Sequence, residues 1–215
     1  MSPPRVAIVD YGVGNLLSVS RGLEQCGATV AVSSERSTIL AAGRVVLPGV
    51  GAFANGMSEL RQRGLEDVVL EAATRGSPLL AICLGMQMLL AKSEEFGIHA
   101  GLGLIPGRVV PVPAFAADGK PQKVPHIGWN ALQMPDRHGD WGGTYLHGVE
   151  PGEEVYFVHS FVARPADDRD VIANCLYGGV PLTAAIGRRN VFGCQFHPEK
   201  SGRVGLKVLR AFLAS

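Results

Sequence analysis

The sequence predicts an α/β fold: a three-layer sandwich with a mostly parallel central sheet and antiparallel additions. Three observations carry that prediction. Through the first half, short apolar runs alternate with segments of helical spacing, the pattern of a parallel sheet covered on both faces. Beyond Gly107 the runs are β-type, with proline and glycine between them, which suits antiparallel or mixed strands added to that sheet. A last helical segment closes the chain.

Taken in order, Arg5–Asp10 is an apolar run ending in an acid and reads as a buried strand. Asn15–Cys26 has apolar residues at 16, 19 and 23, near helical spacing, and Gly27 fits its stop. Thr29–Val32 is a second strand, and Arg44–Leu47 a third, closed by Pro48-Gly49. Met57–Thr74 carries helical patterning with a break at Gly64, and Pro78–Ile82 is a fourth apolar strand. The later β-type runs are Arg108–Val112, Glu154–Val162, Val171–Leu176, Pro181–Ile186 and Val191–Phe196, followed by a helix over Val204–Leu213. Ala114–Lys123 reads as an exposed loop too short to link domains, and no internal repeat is visible.

With 215 residues the chain can bury a core without staples, and one domain over residues 1–215 is expected. Glycine (28) and proline (14) together stay below the level of low-complexity chains, which excludes disorder as the main state. Twenty basic residues against 19 acidic ones leave a net charge of +1, so no electrostatic footprint for nucleic acid or an anionic membrane follows. Cysteines at 26, 83, 175 and 194 form neither a C-x-x-C pair nor a zinc spacing, and a reducing, cytoplasmic compartment is expected. The N-terminus lacks signal-peptide architecture, and the longest apolar region, Pro78–Met86, is too short to span a membrane.

Three segments could carry chemistry. In the first, the apolar strand Pro78–Ile82 runs into Cys83, then Gly85, then a helical stretch. A strand–turn–helix of this kind is the geometry of a nucleophile elbow, and a helix N-terminus favours the thiolate. Gln87 lies four residues on, on the same helical face as Cys83, within reach of a ligand at the sulfur. Two readings are open there: an activated nucleophile or a small buried hydrophobe. In the second, a strand delivers His197 and Glu199 with one proline between them. A thiol nucleophile needs a base, and the base needs a partner that fixes its tautomer. A surface loop with a solvated glutamate is the competing reading. In the third, Pro48-Gly49-Val50-Gly51 follows a strand and can expose backbone N–H groups as oxyanion donors, with the N–H of Leu84 as another. An ordinary βα turn is the alternative. Together the three make a triad reading stronger than any one of them.

Two features are set aside. Asp10–Leu17 begins like G-x-G-x-x-G but has leucine at 17, a poor dinucleotide signal. His99, His126, His138, His147 and His159 form no metal-ligand pattern, and His159 reads as a satisfied core residue. No metal and no cofactor are expected.

Together, Cys83, His197-Pro198-Glu199 and the 48–51 loop resemble the class I, triad-type glutamine amidotransferases, in that family's order and over nearly the whole chain. Within the family, Asp10–Asn15, Pro48–Phe53, Pro125–Asn130 and Tyr156–Phe161 are similar to the glutaminase subunits of imidazole glycerol phosphate synthases. Many sister enzymes carry a Pro-Gly-Gly loop where this chain has Val50. The resemblance implies that Cys83 attacks the side-chain amide of glutamine, that His197 serves as base and then acid, and that Glu199 orients His197. It implies oxyanion donors at Val50, Gly51 and Leu84, and glutamine contacts at Gln87, Ser160 and Phe161. It also implies a partner, a (βα)8-barrel cyclase subunit that receives ammonia in histidine biosynthesis, since little chain follows Glu199. Asn15, Trp129 and Lys200 are the candidates for the docking face, with core packing as the alternative for Trp129 and a solvated surface lysine as that for Lys200. Val50, stiffer than glycine, implies an N–H that reaches its productive orientation only when the partner is loaded. Another synthase's glutaminase, such as that of anthranilate synthase, and a stand-alone cysteine hydrolase are the competing functions. A non-catalytic module would have lost the triad.

Overall fold

The structure, a computed structural model, describes residues 3–135 and 139–215; His138 lies outside the described residues. The first half runs β1 (Arg5–Val9), α1 (Leu16–Gln25), β2 (Thr29–Ser33), α2 (Arg36–Ala41), β3 (Arg44–Gly49), α3 (Phe53–Gln62), α4 (Glu66–Thr74), β4 (Leu79–Cys83) and α5 (Leu84–Met88). The second half adds β5 (Leu90–Ser93), β6 (His99–Ala100), β7 (Ile105–Pro111), β8 (His126–Gln133), β9 (Glu154–His159), β10 (Phe161–Pro165), β11 (Val171–Tyr177), β12 (Val180–Arg188), β13 (Val191–Cys194) and α6 (Gly202–Ala214).

The main sheet is ordered β2-β1-β3-β4-β13-β12-β11-β8-β9. Strands β2, β1, β3, β4 and β13 are mutually parallel, and the rest are added antiparallel, as expected. A second sheet is ordered β10-β7-β5-β6.

Side-chain alternation builds the layers. Val6, Ile8, Val46, Leu80 and Ile82 point to one face, where Val19 and Leu23 of α1 and Val208, Leu209 and Phe212 of α6 cover them. Ala7, Val9, Val45, Leu47, Leu79 and Ala81 point to the other, under Ile39 of α2, Met57 and Leu60 of α3, and Val68 and Val69 of α4. Both faces are apolar because both are covered, which is why these strands read as continuous hydrophobic runs.

Four elements were absent from the sequence prediction: α2, β5, β6 and β8. The helix α2 has six residues and no side-chain cap. Strand β8 hides its period because Ile127 and Trp129 face outward. The run 154–162 is two strands, since the chain leaves the main sheet at Ser160 and enters the second sheet. Helix α3 starts at Phe53, earlier than its pattern suggests, because the Phe53 N–H donates to the distant Glu95 carboxylate at 2.6 Å. No described helix is long and apolar enough to cross a membrane.

Candidate active site

Three neighbouring strands end side by side. Gly49 pairs with Cys83 between β3 and β4, and Cys194 pairs with Ile82 between β13 and β4. Residues leaving these strands, 49–51, 83–84 and 195–199, are therefore brought together at the carboxyl edge of the parallel block. That edge is where open α/β sheets form ligand crevices.

Cys83 adopts φ 56°, ψ −111°, a left-handed geometry that a non-glycine residue holds only when its surroundings enforce it. The surroundings are tightly packed. A Cβ on Gly85 would overlap the Leu47 carbonyl oxygen, and one on Gly49 would lie 2.5 Å from the Tyr11 hydroxyl and 3.0 Å from the Gly85 nitrogen. Strand β3 is thus pressed against the turn, and the turn lifts the sulfur to the rim. Cys83 keeps 7% exposure. Its Sγ accepts from Gln195 Nε2 at 3.6 Å and lies 3.9 Å from the Val158 carbonyl.

His197 donates through Nδ1 to Glu199 Oε1 at 2.8 Å, and both side chains are almost fully buried. Burial by itself would lower the pKa of this imidazole. Hydrogen bonding to Cys83 and to Glu199, and the charges of both, outweigh it and raise the value to about 9. A ring held in this way is a proton carrier beside the sulfur, with Nδ1 committed to the carboxylate and Nε2 free for chemistry. Burial pushes Cys175 up to about 12, Cys194 well above the usual thiol range, and Cys26 upward.

A cavity of about 400 Å³ opens over the sulfur, lined by Val50, Gly51, Leu84, Gln87, Glu95, Ser160, Phe161 and His197 among others. Gln87 reaches it, with both amide hydrogens committed: Nε2 donates to the Phe161 carbonyl at 3.1 Å and to Gln195 Oε1 at 2.9 Å. What Gln87 can offer a ligand is its carbonyl oxygen. Gly51 takes φ +92°, a turn that valine at 50 does not share.

The family model for class-I glutamine amidotransferases matches residues 7–215. The chain belongs to that family. An imidazole glycerol phosphate synthase subunit HisH 1 of Legionella pneumophila (strain Lens) is 50% identical over 97% of this chain and 98% of its own length. A HisH subunit of Geobacillus thermodenitrificans is 46% identical over 97% of this chain and 94% of its own. Among solved structures, PurLQS from Thermotoga maritima superposes with a TM-score of 0.72 at 22% identity, over 99% of this chain and 98% of that one, a likeness of fold.

This amidotransferase chain brings together every residue that the sequence placed at the nucleophile, base, oxyanion and glutamine positions. The docking candidates lie around the same edge. Trp129 is 54% exposed, so it is no core residue, and packs edge-on against Tyr156 at 6.0 Å. The Tyr156 carbonyl accepts from the His197 N–H at 3.0 Å, so Trp129 stands one residue removed from the triad. Lys200 is exposed directly after Glu199. Asn15 caps α1, its Oδ1 accepting from the Ser18 N–H at 3.4 Å.

Sequence reasoning missed Gln195, which is wholly buried and holds both the sulfur and Gln87. A polar residue inside an apolar strand run was its one signal. It missed Glu95, whose carboxylate fixes α3 and lines the cavity. It also gave His159 no site role. His159 donates from Nδ1 to the Phe161 carbonyl at 2.9 Å, and His126 Nδ1 lies 3.0 Å from its Nε2. Burial lowers the His159 pKa to about 4, so a neutral imidazole props the cavity wall.

Proposed function

We propose that this chain is the glutaminase subunit of an imidazole glycerol phosphate synthase, acting in histidine biosynthesis, with Cys83, His197 and Glu199 as its catalytic triad. The observation that carries the chemistry is the left-handed Cys83 turn beside an imidazole whose Nδ1 a buried carboxylate holds.

Glutamine enters the cavity with its amide carbon at the sulfur. Among the described residues Glu95 is the one acidic side chain lining the cavity, and it suits the substrate's α-ammonium group. The Gln87 carbonyl oxygen and the Ser160–Phe161 backbone fix the rest of the amino acid. The Cys83 thiolate attacks the amide carbon. The N–H groups of Leu84 and of Val50 or Gly51 take the negative charge that develops on oxygen. His197 gives its proton to the departing nitrogen, and ammonia leaves with a γ-glutamyl thioester on Cys83. His197, now neutral, takes a proton from water as it attacks the thioester, and glutamate is released. Glu199 holds Nδ1–H throughout, so that Nε2 faces the reaction.

A glutaminase running unpartnered would release ammonia to solvent. The partner is a cyclase subunit with a (βα)8-barrel that docks over Asn15, Trp129 and Lys200 and receives the ammonia. Its ligand brings the Val50 N–H into productive orientation. We place the pair in the cytoplasm.

The glutamine analogue 6-diazo-5-oxo-L-norleucine, which alkylates the attacking thiol, tests the assignment when followed by peptide mass spectrometry. Label on Cys83 is expected. Label on Cys26, Cys175 or Cys194 instead would contradict it.

A further inference from the structure

Tyr11 is fully buried beneath the 48–51 loop, yet its ring carries a hydroxyl that the core does not require. That hydroxyl donates to the Pro48 carbonyl at 2.6 Å; the next acceptor, Met88 Sδ, is 3.8 Å away. The same oxygen is the atom that a Cβ on Gly49 would strike at 2.5 Å. The Pro48–Gly49 peptide is therefore held from below, immediately before Val50. Burial first, and the Cys83 charge second, raise the Tyr11 pKa, so the phenol stays a neutral donor.

We propose that Tyr11 is a positioning residue for the oxyanion loop: by pinning the Pro48 carbonyl it sets the peptide from which the Val50 and Gly51 N–H groups are presented. This rests on the reading of Val50 and Gly51 as oxyanion donors. The residues 10–15 that carry Tyr11 end in Asn15, a docking candidate. Movement of that turn on partner binding is transmitted to the oxyanion loop through the Tyr11–Pro48 hydrogen bond. Nothing at Tyr11 touches substrate, so its effect belongs to the transition state and not to glutamine binding.

The test is Tyr11→Phe in the full chain assembled with its cyclase and the nucleotide substrate. Loss of one neutral hydrogen bond predicts a kcat for glutamate release lower by roughly 3- to 10-fold, with KM for glutamine within about twofold. Iodoacetamide alkylation of Cys83, which needs the thiolate and no oxyanion donors, should proceed at the wild-type rate. A 3-fluorotyrosine at position 11 keeps the donor and should keep kcat within twofold; it also serves if the phenylalanine variant does not fold. An unchanged kcat in Tyr11→Phe, a loss confined to KM, or a fluorotyrosine protein as impaired as the phenylalanine one would each overturn the proposal. A wild-type complex that released no glutamate would overturn the functional reading and this inference together.

Discussion

Replacing Glu199 by glutamine tests how the charge behind His197 is used. The 2.8 Å bond joins two side chains with 4% and 1% exposure, so solvent does not screen it. A hydrogen bond to a charged group contributes about 1.5–3 kcal/mol, which at 1.36 kcal/mol per decade is roughly 10- to 150-fold in rate. Glutamine has the same shape, but its amide nitrogen must either take the place of the buried Oε2, which has no hydrogen-bond partner among the described residues, or turn toward Nδ1 and force the wrong tautomer. Glu199 does not line the cavity, so KM for glutamine should change by less than threefold. The pH profile is the second readout. The His197 pKa is raised from 6.5 to about 9, so its contribution to stability is complete below pH 6.5 and is lost as pH rises through 9. The alkaline limb of activity should fall with the same proton, and in Glu199→Gln it should move to lower pH. Stopped assays of glutamate release across pH 6–10 measure both effects. A kcat within twofold of wild type, or an unmoved alkaline limb, would refute the reasoning.

Other outcomes follow from the same geometry. Glu95→Gln removes the acidic group lining the cavity while keeping a hydrogen-bond acceptor for the Phe53 N–H; KM for glutamine should rise roughly 10-fold or more, as expected for a lost ionic contact, with kcat less affected. Gly85→Ala forces a methyl into the Leu47 carbonyl, so differential scanning calorimetry should show a melting temperature lower by roughly 3–10 °C, the range for about 1–3 kcal/mol of overpacking. The His159 pKa is lowered from 6.5 to about 4, so stability is complete above pH 6.5 and lost as pH falls through 4; NMR should find this ring neutral at pH 5.5.

Much of this was legible because parallel strands covered on both faces are simple to read. The runs at 5–9, 44–49 and 79–83 lie within a residue or two of the sequence assignments. Cys83 and Val50 stand at the ends of two of these runs and His197 just beyond β13, and although each local pattern also fits a bland reading, the three taken together point to a triad. Their convergence depends on strand order, above all on β13 lying beside β4, and no local pattern encodes that crossover. The illegible residues are those whose role is tertiary. Glu95 follows Ser93 and Glu94 in what reads as a polar turn, and only the fold sets its carboxylate against Phe53 and the cavity. Tyr11 reads as part of a glycine turn, and its hydroxyl acquires meaning from a carbonyl 37 residues away. Strand β8 was obscured because Ile127 and Trp129, though apolar, are exposed, so its alternation does not separate apolar from polar residues.

The most direct test of the central claim is glutamate release from glutamine by the chain alone, by the chain with its cyclase and nucleotide substrate, and by Cys83→Ala in that mixture. The predicted result is turnover that rises steeply only when both additions are present and vanishes in Cys83→Ala. Equal turnover by the isolated chain would contradict partner control through the Val50 loop, and turnover that survives in Cys83→Ala would contradict the triad itself.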